Sequence, residues 1–184
     1  MTGTARAILR DGTDAAHRAL DARMAALDLS RRADLAALLR VNAAAHLPLE
    51  AALDAAREGQ GPDLADWPDR RRADALRADL AGLGQGVPLP VTAALEAGWP
   101  ERRAEMLGVL YVLEGSRLGG AVLARAAGPG ASRFLTHGAG QGLWPRLLPV
   151  LEAGLAAPAA RAAALDAARA TFAAFAAAAS REMG

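Results

Sequence analysis

The sequence predicts an all-α fold. Apolar residues recur at three- and four-residue intervals through most of the chain, the period of an amphipathic helix. Glycine, proline and aspartate gather in short stretches between those segments, where chain breaks belong. No stretch shows the period-two alternation of a strand, and no internal repeat or domain linker interrupts the pattern. With 184 residues the chain is long enough to bury a full core. Residues 1–184 are therefore expected to form one domain of about seven or eight helices.

The first helix is expected from residue 4 to about 28. Thr13, His17, Leu20, Met24 and Leu27 form its apolar stripe, and Arg6, Arg10, Asp14, Arg18 and Asp21 decorate its other sides. Ser30 suits the N-cap of a second helix, 31–57, with Leu35, Leu38, Leu39, Asn42, His46, Leu49 and Leu53 on its inner face. Pro48 is expected to kink or split it, since proline lacks the N–H that bonds four residues back. GQGPDLADWPD, 59–69, reads as a loop. Residues 70–83 make a third helix, GLGQGVPLP a loop, and 91–98 a short helix ending at Gly98. Residues 128–142 are the longest irregular segment, expected to be flexible, with His137 solvated. Helices follow from Trp144 to about Leu155, with Pro145 tolerable in the first turn, and from Pro158 to Met183. In the last, Leu165, Phe172 and Phe175 are the bulky apolar positions.

The remaining helix, 100–127, is the one the others are arranged around. Pro100 opens it, Arg125 lies in its last turn, and Gly128 and Pro129 stop it. Its interior nevertheless holds Gly108, Gly115, Gly119 and Gly120. An interior glycine costs roughly 1 kcal/mol relative to alanine, so four cost about 4 kcal/mol. At 3.6 residues per turn Gly108, Gly115 and Gly119 share a face, a bare strip of backbone. Spacing alone leaves two readings: close packing through small residues, the commoner arrangement, or a flat, bulky ligand against the strip. The Gly119-Gly120 pair would let the helix kink over such a ligand.

Composition narrows the classes. The net charge of +1 argues against a module that binds nucleic acid through a basic surface. All 21 basic residues are arginines, whose planar forks pair well with carboxylates. Cysteine is absent, which removes thiolate ligation, disulfides and a cysteine nucleophile. The N-terminus has no signal-peptide core, and no run of about 18 apolar residues stands out. A cytoplasmic protein without a membrane span is expected. No Walker motif, strand-borne GxGxxG or HExxH is present. The Glu-x-x-His spacing of di-iron helices is missing too. EGSRLGG sits mid-helix rather than on the strand–turn–helix elbow of a serine hydrolase.

LGVLYVLEGSRLGGAVLAR, 107–125, resembles the distal-helix signature of heme oxygenases, most closely the bacterial branch associated with bacteriophytochromes. LRDGTDAAHRALDA, 9–22, resembles the proximal helix of the same family, and VNAAAHLPLEAAL, 41–53, the segment that follows. The resemblance implies heme as both cofactor and substrate, held between the first helix and the glycine helix. It implies His17 as the axial iron ligand, with Glu50 one candidate partner for its other ring nitrogen. It implies Arg10 near a heme propionate, with Arg146 a weaker candidate, and Thr13 as a further heme contact. Gly115, Gly119 and Gly120 would give the bare wall that leaves room for oxygen. Ser116 departs from the aspartate of the mammalian enzymes, but a serine hydroxyl can still anchor a water. Tyr111 would line the pocket or fill the core, Phe172 and Phe175 more readily the core. His46, with Glu50 at i+4, is the rival ligand, its ordinary reading being a packed core histidine.

The implied reaction consumes oxygen and electrons from a ferredoxin or reductase and yields biliverdin, carbon monoxide and ferrous iron, with a bacteriophytochrome as the implied biliverdin acceptor. The alternatives are a heme carrier, store or sensor without turnover, and a helical interaction module without cofactor.

Overall fold

A computed structural model of the chain describes residues 3–60, 64–91 and 99–184, with the side chains of 57–60 excepted. Among the described residues there are eight helices and no strand: α1 Ala5–Met24, α2 Arg32–Gln60, α3 Trp67–Arg70, α4 Ala73–Gly82, α5 Arg103–Ala127, α6 Arg133–Thr136, α7 Leu143–Gly154 and α8 Pro158–Met183. The helix expected over 91–98 lies, apart from Val91, outside the described residues.

α8 is the central post, packed against α1, α2 and α5. Its alanines, among them Ala164, Ala168 and Ala178, are fully buried and let neighbouring backbones come close. α5 crosses it at Gly108, where a Cβ would sit 2.1 Å from the Ala164 carbonyl oxygen. Nothing larger than hydrogen fits there, so this glycine serves helix–helix packing. A second, smaller core joins α2, α4 and α6 around Leu35, Leu39, Leu76, Leu80 and Phe134.

Local chemistry sets the helix ends. The start of α1 is fixed by Thr4, whose hydroxyl accepts from Ala7 N–H at 3.2 Å, and by Glu152 of α7. The Glu152 carboxylate accepts from the N–H groups of Ala5 (2.8 Å) and Arg6 (3.1 Å), two of the four donors every helix start leaves unpaired. α5 begins at Arg103 rather than at Pro100. The Glu105 carboxylate reaches back to the N–H groups of Glu101 and Arg102, which fixes that start.

Three expectations are corrected. Pro48 does not split α2, which runs from Arg32 to Gln60 with the proline inside it. The carbonyl that Pro48 cannot satisfy belongs to Ala44, and it accepts instead from Val91 N–H at 2.9 Å. The segment 128–142 is not simply irregular. Asp79 of α4 accepts from Ser132 Oγ (2.7 Å) and from the N–H groups of Arg133 (3.0 Å) and Phe134 (2.9 Å), and so starts α6. The stretch read as a loop over 59–69 begins in α2 and ends in the short α3.

Two helices, α5 and α8, are long and apolar enough by length and composition to pass for membrane spans, which the sequence reading did not single out. Half of each such window is buried inside the fold. They are core helices packed on each other.

Candidate active site

The apolar stripe of α1 is left only partly covered. Leu20 and Met24 are half-buried, and His17 is 59% exposed. Facing that stripe is a cavity of about 480 Å³, within the range of small-molecule sites. α1 and α5 both line it, together with Leu38, Val41 and Asn42 of α2, Phe172 and Phe175 of α8, and Phe134 and Trp144. Arg10, Thr13, His17, Tyr111, Gly115, Ser116, Gly119 and Gly120 all line this one cavity.

The glycine strip divides along its length. Gly108 is pressed on α8, and a Cβ on Gly120 would meet the Leu135 carbonyl oxygen at 2.9 Å. A Cβ on Gly115 would touch only the Trp144 ring, at 3.7 Å, and one on Gly119 would have nothing within 4 Å. Gly108 and Gly120 therefore answer to packing, and Gly115 and Gly119 to the cavity.

The His17 ring is held on two sides. Its Nδ1 lies 2.9 Å from Asp21 Oδ2, one turn on, and its edge rests on Phe172, ring centroids 5.7 Å apart. With Nδ1 oriented by a carboxylate, Nε2 carries the lone pair a metal would take. This corrects the suggested Glu50 partner. Glu50 is buried elsewhere, accepting from His46 Nε2 (3.0 Å) and from the N–H groups of Arg72 (2.8 Å) and Ala73 (3.1 Å). Those bonds outweigh its burial and hold its carboxyl down at about 2. Burial, reinforced by the charge of Arg72, pushes His46 down to about 4, so it is a neutral core histidine and not a ligand in the cavity.

Behind α5 lies a charged network that the sequence reading missed. Arg70 is fully buried. Its Nη1 donates to Glu114 at 2.6 Å, and its Nε to Asp66 at 2.7 Å. Arg117 donates to Glu114 at 2.9 Å and to the carbonyls of Arg70 and His137. His137 is thus packed rather than solvated, and burial lowers its pKa. Arg146, a suggested propionate partner, is tied to Asp66 at 3.0 Å and does not line the cavity. Arg72 does. Its Nη2 donates to the Leu113 carbonyl (2.6 Å) and to Ser116 Oγ (2.8 Å). The Ser116 hydroxyl in turn donates to the Leu113 carbonyl at 2.7 Å. Its only proton is therefore committed to its own helix, and it meets the cavity as an acceptor. Tyr111 packs on Trp144 at 5.7 Å, and burial raises its phenol pKa.

The sequence could have pointed to Asp21, which stands at i+4 from His17. It could not point to Arg72, which sits in the run Arg70-Arg71-Arg72 and looks like a solvated patch.

A group the size and shape of heme fits the donor set. There is an imidazole oriented by Asp21, a largely apolar space against the bare backbone of Gly115 and Gly119, and two lining arginines, Arg6 and Arg10, the second paired with Asp11 at 2.8 Å. Fold and site together define an all-helical protein with one cavity lined by both α1 and α5. No family model matches the chain. A heme oxygenase of Xanthomonas campestris pv. campestris (strain 8004) is 43% identical over 119 residues, covering 59% of this chain and 67% of that protein. The crystal structures of the NO- and CO-bound heme oxygenase from Neisseria meningitidis give a TM-score of 0.79 at 25% identity, over 98% of this chain and 92% of that one. With that fold and that relative, the chain belongs to the heme oxygenase family.

Proposed function

We propose that the protein degrades heme oxidatively, as a single heme oxygenase-like domain acting in the cytoplasm. The observation that carries this reading is the pairing of an oriented His17 with the open glycine wall at Gly115 and Gly119 across one cavity. His17 Nε2 would hold the iron, with Asp21 fixing the orientation of the ring. Arg6 and Arg10 at the rim would meet the propionates. Gly115 and Gly119 keep the opposite face free of side chains, and the Gly120 contact with α6 keeps the helix in place. Ser116 would accept a hydrogen bond from a water in the cavity, leaving that water a second proton to give. The bound heme supplies the redox chemistry and is itself the substrate. The protein supplies orientation, a water held at a defined atom, and apolar walls that limit side reactions. Dioxygen and electrons from a ferredoxin or reductase are consumed, and the products are biliverdin, carbon monoxide and ferrous iron. The likeness of 107–125 to the bacteriophytochrome-associated branch supports a bacteriophytochrome as the biliverdin acceptor.

The test is to load the full chain with hemin, add a chemical reductant in air and follow the absorption spectrum. Decay of the Soret band into a biliverdin band is expected. A stable complex that never converts would contradict turnover and leave a heme carrier, store or sensor.

A further inference from the structure

Arg72 stands apart from the other buried arginines of the network. Arg70 and Arg117 each lie against a carboxylate, at 2.6 Å and 2.9 Å. The Arg72 guanidinium has none, although the residue is only 3% exposed. The two nearest candidates are taken. Glu50 accepts from the backbone of residues 72 and 73 and from His46, and Glu114 is held by Arg70 and Arg117. What Arg72 does touch is neutral: the Leu113 carbonyl, the Ser116 hydroxyl and the face of Phe134, 4.6 Å from its central carbon. Its Nε–H is buried with no partner at all. This leaves a buried positive charge on a residue that lines the cavity together with Ser116. Such a charge in a low-dielectric setting attracts an anion strongly.

We propose that Arg72 makes the α5 side of the cavity a binding site for a small anion, seated beside Ser116 and facing the wall of Gly115 and Gly119. The ligand class is a compact, hydrogen-bond-accepting anion of the size of azide. Such an anion takes up the charge that no carboxylate of the protein meets. Arg72 would also stabilise negative charge arising at that place during the reaction, acting as a positioning residue for Ser116. The inference rests on the heme reading for the identity of the cavity, but not for the charge.

The test uses the hemin-loaded full chain, with azide as the anionic probe and imidazole as the neutral one, both followed by the Soret shift at fixed ionic strength. Hydrogen bonds to a charged group predict that Arg72→Gln weakens azide by at least about tenfold while imidazole stays within about twofold. Arg72→Lys, which keeps the charge and loses the fork, should fall between. Unchanged azide affinity in Arg72→Gln, or an equal loss of azide and imidazole, would overturn the proposal. A second arm needs no hemin and no folded variant. In the ¹⁵N-labelled wild-type apoprotein, the shielded Arg72 Nε–H resonance should move saturably as azide is added. No movement of that resonance would overturn the anion site, whereas failure to form a hemin complex would count against the heme reading alone.

Discussion

At the residue scale, the four glycines of α5 make opposite demands that one substitution type separates. Gly108→Ala drives a methyl into the Ala164 backbone. It should destabilise the fold by about 1–3 kcal/mol, read as a lower thermal midpoint. Gly119→Leu meets nothing within 4 Å and removes a helix-interior glycine. It should leave the midpoint unchanged or raise stability by up to roughly 1 kcal/mol, while filling the cavity and abolishing hemin binding. Equal thermal effects at the two positions would refute the division of the strip. Asp21→Asn should lower hemin affinity by about 10–100-fold, as loss of a carboxylate behind a ligating histidine does, with unaltered helical circular dichroism. The sequence showed these glycines on one face but not which of them met protein. That depends on where α8 and α6 cross α5, and crossing points have no local signature. Asp21 was legible, at one turn from His17. Arg72 was not, because an arginine run reads the same whether it lies in water or is folded under a helix.

At the element scale, α5 is held in register by charge as well as by packing. Glu114, in the turn beside Gly115, is clamped between Arg70 and Arg117 with side chains 9% exposed or less. Removing one partner strands the other. Arg70→Ala is expected to cost about 3–5 kcal/mol, seen in urea denaturation. Most helices could be read from their periodicity, and α8 was placed at 158–183 to the residue. α6 was not, because its start is made by Asp79, distant in sequence. Nor could the continuity of α2 be read, since the donor that meets the Ala44 carbonyl comes from Val91. In both places a long-range hydrogen bond overrode a local breaker signal.

At the scale of the whole molecule, the buried His46–Glu50 pair makes stability depend on acid. His46 has a folded pKa of about 4, below its ordinary value of 6.5. The unfolded chain therefore binds a proton first as the pH drops, and stability is lost between about pH 6.5 and 4. Glu50, held at about 2, contributes stability that is present above its ordinary pKa of 4.5 and lost as the pH falls toward 2. Thermal midpoints should accordingly fall with pH from 6.5 downward in the wild type, and less steeply over pH 6.5–4 in His46→Gln. An all-α class was readable from the chain alone because helix periodicity is local. The cavity was not, because it is lined by residues of several helices far apart in the chain, among them α1, α2, α5 and α8. The central claim is that heme occupies that space with its iron on His17, and titration with hemin at the Soret band tests it most directly. A 1:1 complex in the wild type, with the band shifted and the affinity lost in His17→Ala, is the result the structure leads us to expect; the same band and affinity in His17→Ala would contradict it.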